Sequence, residues 1–256
     1  MSTFTLKKDG RLEYFQSNML MQTGEVKHFF STKNGGVSKG EFESLNLGVY
    51  TNDYKENIEE NFNIICSSLN MNKSIAYLNQ EHGTKVYVVD KDNYDDIVGK
   101  KGDAIITSQK NIPIGVFTAD CVPILLYDKK QKVAAAIHAG WRGVEGRILT
   151  ETLNVMKFKF QSCVEDVVCA IGPAIGPCCF EVSRDVADKF TFVFTVDDSI
   201  YVDLLKEVYS EAKDLNILEE NIDVLGKCTV CSDSLFHSYR REKGKTGRIG
   251  SFIEII

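Results

Sequence analysis

Apolar positions fall mainly into short β-branched runs, joined by a few longer stretches at helical spacing. Ile58, Phe62, Ile65 and Leu69 recur every three or four residues, so residues 57–70 are predicted as an amphipathic helix. Residues 145–160 repeat the pattern, with Ile148, Leu149, Thr152, Val155 and Met156 on the apolar side. Runs at 26–30, 85–89, 104–107, 112–117, 122–127, 133–138 and 167–171 are strand-length, most bounded by turn-forming or charged residues. Residues 224–225 and 249–255 read as late strands. Ser183 is predicted to cap a helix reaching 190, and Asp203 one reaching 215. In the middle of the chain, strand follows strand without a helix between each pair. That order predicts an α+β fold with mixed sheets flanked by helices, rather than an alternating parallel sheet.

No repeat, low-complexity segment or linker interrupts the 256 residues, so a single domain over 1–256 is expected. At 43% hydrophobic and 26% charged, the chain has enough apolar material for a core without covalent staples. The net charge of −6 argues against a nucleic-acid partner. The start, Met1-Ser2-Thr3-Phe4-Thr5-Leu6-Lys7-Lys8, shows no apolar signal region, and no apolar run is long enough to span a bilayer. A cytoplasmic protein with no membrane partner is the expectation. The eight cysteines are then read as free thiols rather than bridges.

Chemistry concentrates at three breaks beside apolar runs: Asn79-Gln80-Glu81-His82-Gly83, Thr118-Ala119-Asp120-Cys121, and His138-Ala139-Gly140-Trp141-Arg142-Gly143. Two imidazoles and a thiolate would make a metal site with one open position, the arrangement of catalytic zinc. Thiolate with imidazole suits zinc or copper. The same residues allow a nucleophilic dyad of Cys121 with His138 as base, and spacing does not separate the two. Asp120 and Glu81 each adjoin a proposed ligand and offer a proton carrier or an orienting group. Arg142 offers a fork for phosphate. Ser31, Lys33 and Asn46 supply a second polar loop pair.

Other motifs carry less. Cys228-Thr229-Val230-Cys231 lacks a second C-x-x-C for a zinc ribbon and reads as buried thiols. Cys178-Cys179 reads as a tight loop at a strand exit. Gly244-Lys245-Thr246 ends like a phosphate loop, but Tyr239 stands where its first Gly is required.

Several blocks in order resemble the YfiH/YlmD family, long called laccase-domain or multicopper polyphenol oxidase proteins. They are Phe30-Ser31-Thr32-Lys33-Asn34-Gly35-Gly36-Val37-Ser38, Ser44-Leu45-Asn46-Leu47-Gly48, Gln80-Glu81-His82-Gly83, Thr118-Ala119-Asp120-Cys121-Val122-Pro123 and His138-Ala139-Gly140-Trp141-Arg142-Gly143. Pro177-Cys178-Cys179-Phe180-Glu181-Val182 and Phe236-His237-Ser238-Tyr239-Arg240-Arg241 complete them. The resemblance covers about 29–252 and implies the YfiH-like fold, related to that of cysteine-based toxin deamidases. It implies one catalytic zinc held by His82, Cys121 and His138. It further implies phosphorolysis of adenosine, inosine, guanosine and methylthioadenosine, and deamination of adenosine to inosine. Purine nucleosides and inorganic phosphate are the implied small-molecule partners, and a monomer or weak homodimer the expected state.

The expected site is therefore His82, Cys121, His138 and Asp120 for chemistry, with Ser31, Lys33, Asn46, Gln80, Arg142 and Cys179 around substrate and phosphate. Lys33 stands where the family usually shows Arg, which keeps the charge and loses the fork. The older name implies copper-dependent phenol oxidation, but several coppers need many imidazoles. The chain has only His28, His82, His138 and His237. A non-catalytic metal-binding module is a further alternative.

Overall fold

The computed structural model describes residues 4–256. Two sheets meet face to face. The six-stranded sheet runs, in spatial order, Ile222–Val224, Val167–Ile171, Val122–Asp128, Val133–Ala139, Ala104–Thr107, Val86–Val88. It is antiparallel in the middle and parallel at both edges. The five-stranded sheet is Phe4–Asp9, Leu12–Ser17, Val26–Ser31, Ile249–Ile255, Ile114–Thr118, antiparallel throughout.

The alternation of side chains sorts the core into layers. Ile106, Ile124, Leu126, Ala135 and Ile137 face the helices Ile148–Phe160 and Leu204–Asp214. Their neighbours Ile105, Leu125, Tyr127, Ala134 and Ala136 face Phe15, Phe30, Val116, Ile249 and Ile253 of the five-stranded sheet. Both faces of the central strands are covered, which explains their unbroken apolar runs. The outer face of the five-stranded sheet packs Tyr14, Phe29, Phe117 and Phe252 against helix Lys55–Leu69 through Ile65 and Cys66. That helix ends at Asn70, whose left-handed backbone (φ 48°) turns the chain away.

The strands at 104–107, 167–171 and 249–255 occupy the residues expected. The helix expected over 145–160 begins at Ile148 and runs to Phe160; Glu145 instead ends a separate short helix, Trp141–Glu145, because the chain breaks at Gly146 and the left-handed Arg147. Asp203 caps Leu204–Asp214 by accepting from the Lys206 N–H. Ser183 makes no side-chain cap, and its helix is a single turn, Arg184–Ala187. The strands Val193–Val196 and Ser199–Val202 that follow form a small sheet with Glu181–Val182, which precedes the turn. Among the described residues no helix is long and apolar enough to cross a membrane.

Candidate metal centre

The three expected donors meet. The ligating atoms of His82, Cys121 and His138 all lie within 4.8 Å of one another, and Cys121 Sγ is 3.5 Å from His82 Nε2. The sheet accounts for two of them. Strand Val122–Asp128 pairs with Val133–Ala139 in a register that sets Pro123 opposite His138, so Cys121 falls just beyond that pair. The short link Ala119-Asp120-Cys121 carries the chain from the five-stranded sheet into the six-stranded one. His82 arrives on the loop before strand Val86–Val88.

Asp103 locks this arrangement, although nothing in the sequence singled it out. Its carboxylate is fully buried at the head of strand Ala104–Thr107. Oδ1 accepts from His138 Nδ1 at 2.8 Å and from the His82 N–H at 2.9 Å. Oδ2 accepts from the Gly83 N–H at 2.7 Å and, at 3.4 Å, from the Glu81 N–H. One carboxylate thus orients one imidazole and fixes the loop carrying the other, as groups behind metal ligands do. With His138 Nδ1 donating to Asp103, His138 Nε2 is left to the metal or to Cys121.

Electrostatics are shifted accordingly. Burial raises the Cys121 thiol, but His138 and His82 outweigh it and draw it down to about 6. Burial also disfavours the charged His138 ring, yet Cys121 and Asp103 carry it up to about 9. Two residues here hold left-handed backbone, His82 at φ 62° and Asp120 at φ 95°. Non-glycine residues in such conformations are uncommon and collect at functional sites. Gly140 is required for contact, since a Cβ there would lie 2.3 Å from His82 Cδ2.

The trio opens onto a cavity of about 500 Å³. Its wall includes the aromatic side chains of Tyr50, Phe117, Trp141, Phe180 and Tyr239, together with Thr118, Asp120, Arg240 and Arg248. The Thr118 hydroxyl is buried without a partner among the described residues. Arg248 is half-buried. Its Nη1 donates to the Thr246 and Gly247 carbonyls, and burial lowers the guanidinium.

The remaining expected residues are distributed differently. Gln80 lines the cavity, but its amide is paired with the Phe117 backbone on both sides. Asp120 also lines it, with Oδ1 accepting from Thr229 Oγ1 at 2.6 Å and Oδ2 from the Arg240 N–H at 2.7 Å. Each of its oxygens is thus engaged as an acceptor. Glu81 is exposed beside Lys101 and outside the wall.

Ser31 and Asn46 are fully buried. Ser31 Oγ accepts from the Gly250 N–H, and Asn46 Oδ1 accepts from the Gly48 and Arg248 N–H groups. Both brace the wall from behind. Lys33, Arg142 and Cys179 do not line the cavity. Arg142 lies exposed over the Trp141 ring at 4.4 Å, and Cys179 sits among other thiols. Arg248, by contrast, lines the cavity. Its segment, Gly247-Arg248-Ile249, looked like an ordinary strand entry and gave no signal. His28 and His237 are buried elsewhere, beside the Ser17 N–H and Thr246.

A family model described as multi-copper polyphenol oxidoreductase laccase matches residues 27–256. A protein of Clostridium acetobutylicum named purine nucleoside phosphorylase is 36% identical over 234 residues, covering 88% of this chain and 90% of its own. Purine nucleoside phosphorylase YlmD of Bacillus subtilis is 35% identical over 246 residues, covering 90% and 88%. The crystal structure of Bacillus licheniformis hypothetical protein YfiH superposes with a TM-score of 0.91 at 28% identity, over 98% of this chain and 99% of that one.

Proposed function

The chain belongs to the multi-copper polyphenol oxidoreductase laccase family, and from that premise we propose that its cavity carries out phosphorolysis of purine nucleosides. The observation that carries the reading is the open three-donor group on the wall of an aromatic cavity that also presents arginine. Two relatives' names point the same way. The volume suits one nucleoside with phosphate beside it. Adenosine, inosine, guanosine and methylthioadenosine are the proposed substrates, each released as free base with a sugar 1-phosphate. Deamination of adenosine at C6 is proposed as a second activity of the same pocket. One catalytic unit spanning 1–256 is proposed, because both sheets share one buried layer.

In phosphorolysis a phosphate oxygen attacks the ribose carbon as the bond to the purine breaks, and positive charge develops on the sugar. Flat aromatic walls offer stacking for the base. Arg248 supplies a guanidinium for phosphate, held in place by the Asn46 and backbone contacts behind it. Asp120 presents fixed negative charge to the sugar cation. Thr118, on the same wall, has a buried hydroxyl without a partner among the described residues.

His82, Cys121 and His138 would hold zinc. Their donor set fits, being two imidazoles and a thiol already drawn toward its anion, within reach of one ion. When bound, the ion would supply Lewis acidity at an open coordination position. Copper in the number a laccase needs does not fit, because His28 and His237 lie outside this group.

A second reading rests on the Asp103–His138–Cys121 line. A lowered thiol, an imidazole beside it and a carboxylate behind it also describe a cysteine hydrolase. Elemental analysis separates the two. One equivalent of zinc at this centre, lost in Cys121→Ala and His82→Ala together with phosphate-dependent base release, supports the metal enzyme. Metal-free protein with full activity sinks it.

A further inference from the structure

A second group of donors stands apart from the first. Cys228 and Cys231 close a tight turn, and Cys178 and Cys179 reach them from about 50 positions upstream. Cys231 Sγ lies 3.5 Å from both Cys178 Sγ and Cys179 Sγ. All four sulfurs fall within 4.8 Å of one another. In sequence the C-x-x-C lacked a partner motif, and the fold supplies one from adjacent cysteines. Cys178 and Cys231 are exposed, which corrects the expectation of buried thiols at 228 and 231 and leaves the cluster open to an ion from solvent.

We propose that Cys178, Cys179, Cys228 and Cys231 form a second metal site, a four-thiolate zinc centre that ties the 176–181 loop to the 228–231 turn. A tetrahedral zinc with sulfurs at 2.3 Å sets them about 3.8 Å apart, so small movements close the site. A disulfide would need about 2.05 Å between one chosen pair. Here Cys231 is equidistant from two partners, which suits a shared ion better than a single bond.

The surroundings are built for sulfur. The Gly176 N–H donates to Cys228 Sγ at 3.2 Å. A Cβ on Gly176 would fall 3.0 Å from Cys228 Cβ and 3.3 Å from Cys178 Sγ, so a side chain there would crowd the cluster by a few tenths of an ångström. Binding zinc exchanges four S–H protons, released to solvent, for four zinc–sulfur bonds.

The tied segments also build the cavity wall. Ile175 and Phe180 flank the cysteine pair and line the cavity. Arg240 donates to the Cys179 and Glu181 carbonyls, and Thr229, beside Cys228, holds Asp120. The centre is therefore a structural staple that positions Arg240 and Asp120. No redox change and no contact with substrate are assigned to it.

The test uses the full chain, purified under reductant, stripped with chelator and titrated with zinc alone. The parent should bind two zinc per chain, and Cys228→Ser/Cys231→Ser should bind one with an unchanged circular dichroism spectrum. His82→Ala/Cys121→Ser should also bind one, with X-ray absorption showing four sulfur neighbours. If the serine variant does not fold, one equivalent of zinc added to His82→Ala/Cys121→Ser should slow alkylation of these four cysteines at least tenfold by peptide mapping. Parental zinc content in the folded serine variant would overturn the proposal. So would nitrogen or oxygen ligands in the absorption spectrum, or alkylation unaffected by zinc.

Discussion

Replacing Asp103 by asparagine tests whether one buried carboxylate holds the metal centre in shape. The side chain is fully buried and accepts from His138 Nδ1 at 2.8 Å, His82 N at 2.9 Å and Gly83 N at 2.7 Å. Asparagine keeps the volume, but one of its two polar atoms is a donor. One set of N–H groups must then face an N–H₂. A hydrogen bond to a charged acceptor contributes roughly 1.5–3 kcal/mol, and an unpaired buried donor costs about 1–3 kcal/mol more. Asp103→Asn should therefore lose about 3–5 kcal/mol in urea unfolding of the metal-free protein. Losing the group that orients a ligating imidazole should also weaken zinc roughly 10–100-fold in a chelator competition. The charge that helps carry His138 up to about 9 disappears as well, so the imidazole should titrate lower, which NMR of the ring reads. A variant with parental zinc affinity, stability and His138 titration would refute the orienting role.

Other consequences are open to measurement. In metal-free protein the Cys121 thiolate should persist as pH falls until about 6, so iodoacetamide alkylation should be half-maximal there. His138→Ala should move that midpoint upward, and a parental midpoint near the ordinary thiol value would contradict the cation's effect. Gly140→Ala places a methyl group 2.3 Å from His82 Cδ2 and should weaken zinc at least tenfold. Arg248→Ala should raise the KM for phosphate roughly tenfold or more with zinc content unchanged. Arg142→Ala, on an exposed side chain outside the wall, should stay within about threefold of the parent.

Much of the sheet was legible because the central strands are buried on both faces. Runs such as Ala104–Thr107 and Val167–Ile171 therefore carry almost no polar interruption. The N-terminal hairpin was not, since Phe4–Asp9 is a half-exposed edge strand with Lys and Thr among its apolar residues. Val193–Val196 is exposed along its whole length, so its Val-Phe-Thr-Val run shows no alternation of a buried and a polar face. The split after Glu145 escaped because helical spacing continues across Gly146–Arg147, and a single left-handed residue breaks it.

At the site, the donors stood out because only four His occur in the chain and the three donors lay at turn-like breaks. Their partners did not. Asp103 reads as a turn acid, and only the register that brings His138 N–H to the Asp103 carbonyl shows that the two meet. Arg248 and the four-thiol cluster depend on contacts between segments far apart in the chain, where spacing carries no information.

The central claim is tested most directly by product analysis of zinc-loaded protein with inosine or adenosine, in the presence and absence of phosphate. The account predicts free base and ribose 1-phosphate in equal amounts, formed only with phosphate. Formation should fall at least a hundredfold in Cys121→Ala and His82→Ala. Intact nucleoside after long incubation, or base release that Cys121→Ala leaves unchanged, would contradict it.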